Sequence, residues 1–128
     1  MASPRASRAD MHWLFFGYRG RISRGVYILA ILFWVMVIAV PLSGGIDAPR
    51  DSETRNFWVF PFVFVAGTGA VSCVHLTIKR LHDIGLTGWL TLIALIPALA
   101  APAALVLAFW PSNPGPNRFG EGPDTRPQ

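Results

Sequence analysis

The stretch "HLTIKRLHDIGLTGW" (His75–Trp89) sets Lys79, Arg80, His82 and Asp83 into five consecutive positions between two long apolar runs. The chain is 52% hydrophobic with a mean hydropathy of +0.44. In that setting the cluster is either the wet turn between two membrane-crossing helices or a titratable site held at membrane depth. The apolar runs around it come first, because they fix which of the two is cheap.

Charged residues make up 14% of the 128 residues, against roughly 25% in ordinary soluble domains. Three long intervals carry almost no charge. Gly25–Ile46 has none over 22 residues, Asn56–Ile78 has only His75 as a titratable group over 23, and Ile84–Asn117 has none over 34. A helix rises about 1.5 Å per residue, so about 20 apolar residues cross a hydrocarbon core about 30 Å thick. Each interval holds one such segment, at residues 26–42, 57–78 and 89–110. The expectation is an all-α integral membrane protein: one membrane domain over 1–128, three transmembrane helices, an interfacial amino-terminal segment and a Pro/Gly-rich tail over 111–128. A soluble protein with three buried helices would need a polar shell that this chain is too short to supply.

The sequence pI near 10.2 raises nucleic acid as a partner. The basic residues sit in the short flanks of apolar segments, where headgroups and topology account for them, so no nucleic-acid partner is expected. The single Cys73 lies inside the second segment and allows no disulfide within the chain. The first segment resembles a signal peptide in having a basic leader, but its apolar core of 17 residues exceeds the usual 7–15 and reads as an uncleaved helix.

Along the chain, residues 1–10 lack an apolar pattern and read as a flexible tail. "MHWLFFGY" (11–18) is an aromatic cluster suited to the headgroup level, an interfacial anchor lying on the membrane. "RGRISRGVY" (19–27) leads into the first helix, with Ser23 as the expected N-cap. That helix is expected to stop near Pro41 and Gly44-Gly45. Small residues at Ala66/Ala70, Thr68/Ser72 and Gly69/Cys73 suggest that the second helix packs closely on the third, which carries Ala100, Ala104 and Ala108. Pro97 and Pro102 are expected to bend the third. With three spans the amino-terminal flank and the 79–88 turn share one side, with seven Lys and Arg, and the first loop and tail share the other, with four. The positive-inside rule then puts the amino terminus in the cytoplasm and the tail outside.

If the second helix runs through Asp83, His75, Lys79 and His82 share a face at i, i+4, i+7, with Arg80 and Asp83 beside it. Ionisable groups at membrane depth ordinarily carry function. The plainer account makes the cluster a helix end: Lys79 and Arg80 snorkel to phosphates, Asp83 pairs with Arg80 or caps the third helix, and Gly85 turns the chain. That account leaves the histidines unexplained. A metal site needs three or four caged ligands, and His75, His82 and Asp83 are poorly spaced for one, so no metal and no cofactor are expected. Ser72, Cys73 and His75 form no obvious nucleophilic relay, and no phosphate-cradling loop is present. In the tail "PSNPGPNRFGEGP" (111–123), Asn117, Arg118 and Phe119 suit hydrogen bonding, phosphate contact and burial, which favours a strap folded back over the membrane surface.

"GRISR" (20–24), "KRLHDIGLTGW" (79–89) and "GPNRFGEGP" (115–123) together resemble the small bacterial inner-membrane proteins of domain of unknown function family 805. That family's pattern is a Gly-Arg-x-Ser-Arg lead into the first helix, an Arg-Arg-Leu-His-Asp turn, a Gly-Trp-Trp start to the third helix and an Asn-Arg-Phe-Gly tail. The resemblance runs from about Phe16 to Pro123 and carries over onto Gly20, Arg21, Ser23 and Arg24, onto Arg80 to Asp83 with Gly85, Gly88 and Trp89, and onto Asn117 to Gly120. Val26, Lys79 and Leu90 depart from it. Val26 removes the capping box, and Lys79 replaces a bidentate fork with a point charge. The resemblance implies a multi-pass protein of the bacterial plasma membrane and no particular reaction.

The expected function is therefore non-enzymatic: contact with anionic lipid headgroups or a protein partner through a cytoplasmic basic face. Arg21, Arg24, Lys79, Arg80, His82, Asp83, Asn117 and Arg118 form the contact set, and a homo-oligomer is a further possible partner. The alternatives are a transport or proton-relay subunit, or a membrane enzyme acting on a lipid headgroup with His82 and Asp83 as its acid and base.

Overall fold

The computed structural model describes residues 10–126, so the expected flexible tail lies, apart from Asp10, outside the described residues. These residues are helical and contain no strand, only isolated antiparallel bridges at Arg21–Thr125 and Asn117–Gly120. The helices are α1 (Met11–Phe16), α2 (Arg24–Asp47), α3 (Glu53–Asp83), α4 (Thr91–Ala94, preceded by a 3-10 turn at Gly88–Leu90) and α5 (Pro97–Phe109).

Two helices, α2 and α3, are long and apolar enough to cross a membrane. Their 24 and 31 residues correspond to about 36 Å and 46 Å. Ser23 caps α2, its hydroxyl accepting from the Val26 amide. The helix does not stop at Pro41 or at the Gly44-Gly45 pair. It runs on to Asp47, and Gly44 serves packing instead: a Cβ there would lie 2.5 Å from the Trp58 ring. Gly69 and Ser72 of α3 likewise receive α2 rather than α5. A Cβ at Gly69 would sit 3.0 Å from the Trp34 ring, and Trp34 Nε1 donates to Ser72 Oγ at 2.8 Å.

The third apolar segment departs most from expectation. Residues 89–110 do not form one spanning helix. α4 ends at Ala94, Ile96 takes an extended ψ of 116°, and Pro97 begins α5. A proline ring disfavours the helical conformation at the preceding residue; Val40, Phe60 and Ala101 keep it before Pro41, Pro61 and Pro102, whereas Ile96 gives it up. Pro97 therefore breaks the helix where a bend was expected, and the chain reverses. Leu90, Ile93, Leu99 and Val106 line one apolar crevice. α5, with 13 residues or about 20 Å, returns to the end of α3 from which α4 departed. There Arg80 Nε donates to Leu107 O at 2.8 Å and the Asn113 amide donates to Asp83 O at 3.0 Å. The tail consequently lies at the same end of the molecule as the start of α2, not at the opposite end.

The aromatic anchor is also drawn in. Trp13 and Phe15 of α1 are buried, and the Phe15 ring packs on Phe33 and Trp34 with centroids 5.1 Å and 5.8 Å away. Trp34 stands ten residues into α2, about 15 Å along it, so the Phe15 side chain of α1 packs against the helix pair.

Candidate functional site: a buried ionic clasp

α3 ends in a Schellman motif: the Leu86 amide donates to Leu81 O at 2.9 Å and the Gly85 amide to His82 O at 3.1 Å. The motif requires a left-handed residue, and Gly85 supplies it with φ +81°. Its missing side chain also matters, because a Cβ there would lie 2.5 Å from Asn113 Nδ2. The turn is thus shaped to receive the tail.

Arg21, Lys79, Arg80 and Asp83 are 0% exposed. Asp83 accepts from two guanidiniums, Arg21 Nε through Oδ1 at 3.1 Å and Arg80 Nη1 through Oδ2. Two cations on one carboxylate leave a positive charge, which main-chain oxygens take up. Arg21 donates to Gly115 O at 2.7 Å, Gly120 O at 3.3 Å, Asn113 O at 2.8 Å and Asp83 O at 3.5 Å, so each of its five N–H donors has an acceptor. Arg80 reaches Leu107 O, Trp110 O, Ile22 O and Ser112 Oγ. The first two are carbonyls of the last turn of α5, orphaned by the helix end and capped by a cation. Lys79 likewise sits at the end of α1, its Nζ donating to Leu14 O and, at 2.6 Å, to Trp13 O, which also accepts from the Gly17 amide, while lying 4.5 Å from the Trp13 ring centroid.

His82 stacks on Phe119 with centroids 4.0 Å apart and planes at 8°, and its Nδ1 lies 3.3 Å from Gly20 O. Asn117 Nδ2 donates to His82 O at 3.0 Å, while Asn117 Oδ1 accepts from the Phe119 amide, holding the tail turn. Asp124 closes the strap: its carboxylate accepts from the Ser23 amide at 2.8 Å, and its own amide donates to Arg21 O.

The eight residues expected to form a contact set therefore divide. Arg21, Lys79, Arg80 and Asp83 form the buried interior of a clasp, with His82 and Asn117 half-buried around it. Arg24 and Arg118 remain exposed at its rim. Burial does not suit Arg21, Lys79 and Arg80 to reach headgroups, since their donors are already engaged. His75 stands apart, its ring bonded to Val71 O of its own helix at 2.8 Å. The i, i+4, i+7 face of His75, Lys79 and His82 does not act as a unit. Sequence reasoning found the three motifs but missed Asn113 and Asp124, single polar residues in a proline-rich tail whose only signal is their spacing from Asn117. Among the described residues no three of His, Cys, Asp and Glu are grouped so as to hold a metal ion.

In comparison with known proteins, the model of the family described as "Protein of unknown function (DUF805)" matches residues 15–121, and the chain belongs to that family. The matched span takes in the first two motifs that meet in the clasp and the third as far as Glu121. No curated protein and no solved structure matches the chain.

Proposed function

We propose that this DUF805 protein is a small, non-enzymatic protein of the bacterial inner membrane. In this reading it crosses the bilayer twice, through α2 and α3, and inserts the α4–α5 hairpin from one side only. It binds anionic headgroups through the arginines at the rim of its clasp. The observation that supports the reading is the division of charge. Arg21, Arg80 and Asp83 satisfy one another internally, whereas Arg19, Arg24 and Arg118 stay exposed at the same end. Acid–base chemistry is poorly served, because Asp83 is held between two guanidiniums and His82 is pinned by a ring stack.

The charge count supports the orientation. Among the described residues Arg19, Arg21, Arg24, Lys79, Arg80, Arg118 and Arg126 lie at the clasp end, and Arg50 and Arg55 at the far loop. Seven against two favours a cytoplasmic clasp, with both ends of the described chain on the cytoplasmic side.

The test is lipid selectivity in nanodiscs of mixed anionic and zwitterionic lipid. Each basic residue near an anionic surface is worth about 1 kcal/mol, so Arg24→Gln with Arg118→Gln should weaken anionic-lipid preference about tenfold to thirtyfold. Raised salt should shrink that difference. Unchanged preference in the double variant, together with loss of a cellular phenotype in His82→Asn, would replace the headgroup reading with a proton relay or an enzyme.

A further inference from the structure

Between α2, α3 and the α4–α5 hairpin lies a cavity of about 340 Å³ that the clasp does not use. Its size falls in the range of small-molecule sites. Alanines keep it open: Ala70, Ala94, Ala100 and Ala104 all line it, and larger side chains there would fill it. No charged residue lines it.

Its polar groups are confined to one end. Tyr27 lies in the first turn of α2, Thr77 six residues before the end of α3, and Thr91 at the start of α4, all toward the clasp. Ala70, Leu95 and Ala100 line the deeper end, by the hairpin tip. The Tyr27 hydroxyl and Thr77 Oγ1 are 3.5 Å apart, a long contact that commits neither fully. Thr91 is 5% exposed, and its Oγ1 is the buried side-chain polar atom without a hydrogen-bond partner among the described residues. Such an orphan in an otherwise satisfied interior calls for an external acceptor. The pattern of apolar walls, small side chains and hydroxyls at the surface-facing end is that of a site for a molecule oriented as lipids are.

We propose that this cavity binds a small uncharged amphiphile, an apolar body bearing one hydrogen-bonding oxygen, a hydroxyl or a carbonyl. The oxygen meets Thr91 and the Tyr27–Thr77 pair, and the apolar body points to the hairpin tip. The bilayer supplies such molecules by partition, and in this respect the site rests on the membrane placement proposed above. A charged amphiphile is excluded, because no counter-charge lines the walls and burial of a lone ion is costly.

Cys73 lines the cavity and is the chain's single thiol, so its modification reports occupancy. Protein in zwitterionic nanodiscs is treated with N-ethylmaleimide, and Cys73 labelling is followed by mass against 1-octanol, n-octane and octanoate. Octanol should protect Cys73 saturably while octane and octanoate do not. Thr91→Val should raise the half-protecting octanol concentration about tenfold, the scale of one hydrogen bond to a buried group. Ala104→Leu should abolish protection without lowering the melting temperature. Equal protection by octane, no effect of Thr91→Val, or a destabilised Ala104→Leu would each overturn the proposal. Carbonate extraction of native membranes separates the two readings. A protein released by carbonate yet protected by octanol overturns the membrane placement alone, and one retained but unprotected overturns the cavity site alone.

Discussion

Asp83 holds two buried guanidiniums with a single carboxylate, and removing that charge leaves both uncompensated. Breaking a buried pair from one side costs about 3–5 kcal/mol, a large share of the 5–15 kcal/mol that holds a typical domain together. Asp83→Asn should therefore lower the melting temperature in detergent sharply; an unchanged melting temperature would show that the clasp is not closed. The sequence suggests that exchanging the charges of Arg80 and Asp83 should restore a pair. The structure predicts no rescue, because Arg21 is a third member and would then face an arginine at position 83. Arg21→Lys replaces five donors with three and loses the fork that spans Asp83, Asn113 and Gly115. It should speed proteolysis of the tail while leaving α2 and α3 intact, and a tail as resistant as before would contradict the role given to Arg21.

Helices α2 and α3 were legible because apolar length is a strong signal that needs no tertiary information. Their ends were less so. Pro41 and Gly44-Gly45 read as a stop because both disfavour helix, yet Gly44 is where Trp58 lies across α2. The third segment carries the same apolar length as a span and misled for that reason. A reversal differs from a bend by one backbone angle at Ile96, and that choice is settled by Arg80 and Asn113 holding the far end of α5 in place. Likewise the cluster Lys79–Asp83 was visible as a cluster, but not as an interior. Most acceptors of Lys79 and Arg80 are main-chain oxygens, from Trp13 to Trp110, which carry no sequence signal. A spin label at Leu95→Cys, in a Cys73→Ser background, should report a depth near the bilayer centre, because the hairpin tip reaches Ala70, roughly midway along α3. A label at Phe109→Cys in the same background should report the interface at the clasp end, whereas a third span, rising about 1.5 Å per residue from Trp89, would carry it to the far interface.

At the scale of the whole molecule, the clasp end gathers α1, the ends of α3 and α5 and the strap, while the far half consists of α2 and α3 alone. This unequal section follows from a chain that enters and leaves at one end. Positive charge is concentrated there as well, at seven described Lys and Arg against two at the far loop. The central claim is that residues 89–110 turn back and return the tail to the side where α2 begins. Epitope tags before Met1 and after Gln128, probed with antibody in intact spheroplasts and again after permeabilisation, test it most directly. The account predicts that both tags stay hidden until permeabilisation, while a tag in the loop at Arg50 is exposed from the start. Tags on opposite sides of the membrane would contradict it.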